Sequence, residues 1–154
     1  MAVHLDIVVS SPLWKSVGGL RPMLRRAVAA AAAQVRLDDA ELAIVLTDDA
    51  AIRTLNRSWR KRDRPTNVLS FPAPPAPSGA AGRRLIGDIV IAYETTAREA
   101  AAQAKPFKNH VSHLAVHGFL HLLGYDHGRK GEAEEMEGLE RAILFALGVP
   151  DPFA

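Results

Sequence analysis

The sequence predicts a single α+β domain spanning residues 1–154, a small mixed four-stranded β-sheet packed with about five α-helices. Three observations lead there. Apolar residues switch repeatedly between two-residue and helical spacing along the chain. The resulting order is β-α-β-α-β-β-α-α-α, without internal repeats. At 154 residues, 48% hydrophobic and 23% charged, the chain is long enough for one real core and too short for two ordinary domains.

The elements follow in order. Val3, Leu5, Ile7 and Val9 alternate with His4, Asp6, Val8 and Ser10, the pattern of a half-buried strand. Pro22 suits a helix start, and Leu24, Ala27, Val28, Ala31 and Val35 follow at helical spacing. Leu42 to Leu46 is a continuous apolar run, expected of a strand buried on both faces. Asp48 or Asp49 caps a short helix whose apolar side is Ile52, Leu55 and Trp59. Val68 to Phe71 is a third strand, and the proline-rich stretch Pro72 to Gly79 is expected to leave the sheet, since proline lacks the donor. Leu85 to Ala92 is the fourth strand and Thr95 to Ala104 a helix. Pro106 opens the next helix, and Glu132 to Leu147 closes the domain with Met136, Leu139, Ile143 and Leu147 facing inward.

Composition narrows the setting. There is no cysteine, which excludes disulfides, thiolate metal sites and cysteine nucleophiles and fits a reducing compartment. The N-terminal residues lack the pattern of a signal peptide, and no segment reaches the roughly 20 apolar residues of a membrane span. A soluble, cytoplasmic protein is expected, with no membrane partner. Net charge is only +2, but Arg57, Arg60, Lys61, Arg62 and Arg64 cluster around the single acid Asp63. Such a cluster suits a polyanion, gripped through guanidinium forks in a salt-sensitive, sequence-indifferent way. Glu132, Glu134, Glu135, Glu137 and Glu140 form an opposite run, read as a solvated face.

The most informative block is His117-Gly118-Phe119-Leu120-His121-Leu122-Leu123-Gly124-Tyr125-Asp126-His127. Four residues along a helix turn through about 400°, so His117 and His121 share a face. A left-handed Gly124 can end the helix and let His127 return to that face. Three imidazoles converging this way make a metalloprotease-like zinc site whose fourth tetrahedral corner stays open, as catalytic sites require. The spacing is that of H-E-x-x-H-x-x-G-x-x-H, with Gly118 in place of the glutamate base. The metal clamp is kept and the peptidase base is absent. His113 lies one turn earlier on the same face; a helical trio with His117 and His121 would span about 12 Å along the axis, too far for one ion. His113 is therefore expected behind the ligands or facing substrate, while His110 and His4 read as ordinary polar residues.

With the segment Leu55 to Pro72, which ends Arg64-Pro65-Thr66-Asn67-Val68-Leu69-Ser70-Phe71-Pro72, and with Gly87-Asp88-Ile89-Val90-Ile91, the histidine block resembles the YbeY family of bacterial rRNA-maturation endoribonucleases over nearly the whole chain. The resemblance implies one Zn²⁺ per chain held by His117, His121 and His127, with Arg60 in catalysis. It implies a single-strand-specific endoribonuclease acting in 16S rRNA 3′-end maturation and ribosome quality control, with rRNA and the small ribosomal subunit as partners. Arg57, Lys61, Arg62 and Arg64 are the candidate RNA contacts beside it. Two other readings are a zinc metallopeptidase-like hydrolase and a non-catalytic zinc-stabilised ribosome-binding module. Asp126 reads equally as a partner for a ligand's spare N–H or as a turn residue, and Asp88 as a carboxylate needing a partner in an apolar strand. Trp59 and Phe71, aromatics at element ends, read first as core and second as stacking surfaces for bases.

Overall fold

The computed structural model of the protein describes residues 3–74, 82–126, 128 and 130–153. Strand β1 (His4–Val9) leads through a short 3₁₀ turn, Pro12–Ser16, into α1 (Leu20–Gln34). Then come β2 (Ala40–Thr47), α2 (Asp49–Arg60), β3 (Val68–Pro72), β4 (Arg84–Ala92), α3 (Tyr93–Ala102), α4 (Phe107–Leu122) and α5 (Lys130–Ala146). The expected order of strands and helices is present, and the sheet is mixed. β1, β2 and β4 run parallel, while β3 pairs antiparallel with β4 at the edge, giving the order β1-β2-β4-β3.

The sheet sorts its side chains by alternation. Leu42, Ile44, Leu46, Ile89 and Ile91 join residues of α1, α4 and α5 in the main core. Val90 and Ala92, with Leu69, meet Ile52 of α2 in a smaller cluster. Trp14, from the 3₁₀ turn that periodicity does not reveal, is 1% exposed and donates from its indole nitrogen to the Thr47 carbonyl at 2.7 Å.

Boundaries differ from expectation for local reasons. α1 begins at Leu20, so Pro22 sits inside the first turn, where its missing N–H is not needed. Of the two candidate caps, Asp48 accepts from Ala51 N at 2.9 Å, whereas Asp49 accepts from Thr95 N of α3 at 3.0 Å. Pro72 does not leave the sheet but ends β3 opposite Gly87, which an edge strand permits because one side of its backbone has no neighbour to bond. Ala73 N–H still donates to the Ile86 carbonyl at 3.1 Å, and residues 75–79 of the proline-rich stretch lie outside the described residues.

Asp88 needs no buried partner, because it is itself exposed, although it shares a face of β4 with the buried Val90 and Ala92. Trp59 is 71% exposed and not core: the stripe begun by Ile52 and Leu55 runs past the edge of the sheet. Among the described residues, no helix is long and apolar enough to cross a membrane.

Candidate metal centre and cleft

The histidine helix forms as its sequence requires. Pro106 precedes it, and its C-terminus closes on Gly124 at φ +98. Gly124 N–H donates to the His121 carbonyl at 3.0 Å and Tyr125 N–H to the Leu120 carbonyl at 3.1 Å. This pair of bonds reverses the chain and turns Tyr125 and Asp126 toward the cleft that His117 and His121 line.

His117 and His121 face one another, with their Nε2 atoms 3.0 Å apart. Two nitrogens each about 2.0–2.1 Å from a tetrahedral zinc lie roughly 3.3–3.4 Å apart. The pair therefore fits a shared ion after a shift of a few tenths of an ångström. His127, the third expected ligand, lies outside the described residues.

Behind this pair is a residue that sequence reasoning placed in solvent. Glu140 is fully buried, not part of a solvated acidic face. Its Oε2 lies 2.6 Å from His113 Nε2 and 3.3 Å from His117 Nδ1. Burial by itself would raise the Glu140 carboxyl. The hydrogen bonds from His113 and then His117, with the attraction of the two rings, outweigh it and hold the carboxyl at about 2, below its ordinary 4.5. An ionised carboxylate only accepts, so both ring nitrogens facing it donate. His117 then carries its proton on Nδ1 and presents the Nε2 lone pair toward His121, the orientation a metal ligand needs. His113 stands behind the pair, as its spacing suggested. His113, His117 and Glu140 also form a group of their own, with ligand atoms within 4.8 Å of one another, that could hold a metal ion.

Glu140 was legible in one respect. It stands four residues after Met136 and three before Ile143, and both are buried at 0% and 1%. A carboxylate on the inward stripe of an amphipathic helix needs a partner.

Gly118 faces the sheet. A Cβ there would lie 2.8 Å from Ile89 Cγ2 and 3.1 Å from Ser70 Oγ, and Ser70 Oγ donates to the Gly118 carbonyl at 3.1 Å. The position that carries the base in the protease pattern is here filled by the sheet, with no room for a glutamate.

His117 and His121 line a cleft of about 820 Å³ bounded by β3 and by the end of α2, where Trp59 and Arg60 also line it. Of the basic cluster only Arg60 reaches that lining; Arg57 is exposed in the last turn of α2, and Lys61, Arg62 and Arg64 are exposed on the turn that follows. Asp63 is engaged by Arg53 at 2.8 Å and Arg57 at 3.9 Å, which draws its carboxyl below the ordinary range through the Arg53 hydrogen bond. The turn is built by Lys61 in the left-handed region at φ 56 and by buried Asn56, whose amide donates to the Arg64 carbonyl at 2.9 Å. Asn67 is a further residue whose role spacing does not reveal. It donates to Glu99 at 2.9 Å, and Glu99 also meets the buried His110 at 2.9 Å, so the start of β3 is tied to α3 and α4.

The comparisons with known proteins agree with this architecture. Residues 16–148 match the family model described as Endoribonuclease YbeY. The chain is 57% identical to the endoribonuclease YbeY of Nitrobacter winogradskyi, across 97% of this chain and 81% of that one. It is 55% identical to the protein of the same name from Rhodopseudomonas palustris, across 97% and 89%. A Thermotoga maritima protein known from its solution structure shares the fold, with TM-score 0.55 at 22% identity over 94% of this chain and 91% of that one.

Proposed function

Because the chain belongs to the endoribonuclease YbeY family, we propose that it is a zinc-dependent, single-strand-specific endoribonuclease acting in 16S rRNA 3′-end maturation and ribosome quality control in the cytoplasm. Its partners on this reading are rRNA and the small ribosomal subunit. The observation that carries the proposal is the facing pair His117 and His121, 3.0 Å apart, in a cleft that Arg60 also lines. His117, His121 and His127 hold the ion, and Glu140 with His113 orients His117 from behind.

Bound zinc supplies Lewis acidity, the chemistry that makes water nucleophilic near neutral pH without a carboxylate base. That accounts for a glycine at position 118. The chain's own contribution is placement. Arg60 lines the same cleft as the histidine pair, and on this reading its guanidinium stabilises the charge that a bound phosphodiester builds on its equatorial oxygens. Arg57, Lys61, Arg62 and Arg64 line the approach with positive charge and draw the backbone in without reading sequence. The closed position at Gly118 weighs against the peptidase reading.

The test is to incubate purified protein with single-stranded RNA, duplex RNA and an unstructured protein, before and after chelation and with zinc restored. Single-stranded RNA should be cut only in the metal-loaded state, with the protein substrate intact. Proteolysis, or RNA cleavage indifferent to the chelator, would rule the proposal out.

A further inference from the structure

We infer that Trp59 is a nucleobase-stacking platform beside the metal centre and that it supplies selectivity for unpaired RNA. The inference rests on the RNA-cleaving reading of the same cleft. Exposure alone is no argument, since single apolar side chains are common on surfaces and Phe145 of α5 is 85% exposed without lining the cleft. Position distinguishes Trp59. It is 71% exposed, it is adjacent in sequence to Arg60, and both residues line the cleft that holds His117 and His121.

Its orientation is held without covering it. The Phe71 ring meets the indole in an edge arrangement, centroids 6.0 Å apart at 67°. One contact of this kind steadies the ring and leaves most of its surface to solvent. Charge complements it, because Arg57, Arg60, Lys61, Arg62 and Arg64 are all exposed around the end of α2. Cations for the backbone next to a free aromatic surface are the two components of a single-strand site.

The selectivity follows from the stack. An unpaired nucleotide whose phosphate lies at Arg60 can turn its base onto the indole. A base within a duplex has both faces covered by neighbours and must first be unstacked. Any base offers a π-face, so the subsite favours single strands without favouring a sequence.

The experiment uses the zinc-loaded protein and a short single-stranded 2′-O-methyl phosphorothioate RNA that resists cleavage. Its abasic analogue and its duplex serve as parallel probes. Trp14, the other tryptophan, is 1% exposed, so quenching by the oligonucleotide reads Trp59. The single strand should quench fluorescence. Trp59→Ala should weaken its binding roughly 5- to 150-fold, the loss of one stacked base, and Trp59→Phe should restore most of it. Abasic and duplex probes should bind wild type and Trp59→Ala alike. Equal binding of the single strand by both proteins, or an equal loss for the abasic probe, overturns the inference. If wild type still cleaves RNA in that case, the endoribonuclease reading stands and only the stacking role falls. A zinc-loaded wild type that neither binds nor cuts single-stranded RNA overturns both.

Discussion

The Glu140 carboxylate accepts a hydrogen bond from His117 Nδ1 at 3.3 Å, joining the last helix of the domain to the face of α4 that bears the histidine pair. The same oxygen accepts from His113 at 2.6 Å, so one buried charge orders two consecutive turns of the histidine helix. Removing the charge should be felt in metal affinity. Glu140→Gln, which keeps the shape and loses the ionised acceptor, should weaken zinc binding about 10- to 100-fold in competition with a chromogenic chelator. Glu140→Ala should in addition destabilise the metal-free protein by about 1–3 kcal/mol, because the partly buried donors on His113 and His117 lose their acceptor. Unchanged zinc affinity in Glu140→Gln would show that the carboxylate does not act through His117.

Gly118 allows a second prediction in which two effects oppose. Alanine in place of glycine within a helix gains about 1 kcal/mol of propensity. Against this, the new methyl would sit 2.8 Å from Ile89 Cγ2, a buried branched side chain with little freedom to yield. Overpacking of that kind costs about 1–3 kcal/mol, so Gly118→Ala should be neutral to about 2 kcal/mol destabilising in denaturant unfolding. Gly118→Glu should prevent stable folding or lower the midpoint far more, since its carboxylate would be driven against the sheet. A well-folded Gly118→Glu protein with peptidase activity would contradict the placement of this residue.

The sequence made the strand and helix order legible because each segment shows one dominant period. Ile89 and Ile91 alternate with Val90, and Met136, Ile143 and Leu147 recur at helical spacing. The pairing of His117 with His121 was equally open to reading, because a helix places such residues on one face whatever surrounds it. Glu140 was obscured by its neighbours: among five glutamates of like charge, nothing short of its phase on the helix marks it as inward. Trp59 erred the other way. Its spacing from Ile52 and Leu55 continues an apolar stripe, but only the tertiary arrangement shows that β3 is the edge strand and that the stripe's last residue meets the edge of Phe71 and is otherwise largely exposed. Asn67 and Glu99 are 32 residues apart, and a polar tie at that distance leaves no periodic trace.

Metal removal should register in stability as well as activity. A ligand that binds only the folded chain adds about 2.7 kcal/mol at 100 times its Kd. For a domain of this size that is roughly 5–10 °C in Tm. Zinc at that excess should raise the midpoint of the metal-free protein by this amount, and His117→Ala or His121→Ala should abolish the shift. A shift that persists in both variants would place the ion elsewhere. The group His113, His117 and Glu140 makes the comparison informative, because it includes His117 but not His121. If His121→Ala keeps the shift and His117→Ala loses it, the ion belongs to that second group.

Arg60 separates chemistry from capture. Its side chain is exposed, and Asp63, the acid nearest in sequence, is engaged by Arg53 and Arg57. Truncation should therefore change folding stability by no more than about 0.5 kcal/mol. Rate is another matter. Loss of one preorganised donor to developing charge costs on the order of 10²- to 10³-fold, so Arg60→Ala should lose that much in single-turnover cleavage of single-stranded RNA. Arg60→Lys keeps the charge without the planar fork and should recover only part of it. Arg62→Ala or Arg64→Ala, outside the cleft lining, should weaken binding, reduce its salt dependence and leave the single-turnover rate at saturating RNA close to wild type. Wild-type cleavage by Arg60→Ala would reduce this arginine to one more member of the basic surface, and the charge built on phosphorus would need another partner.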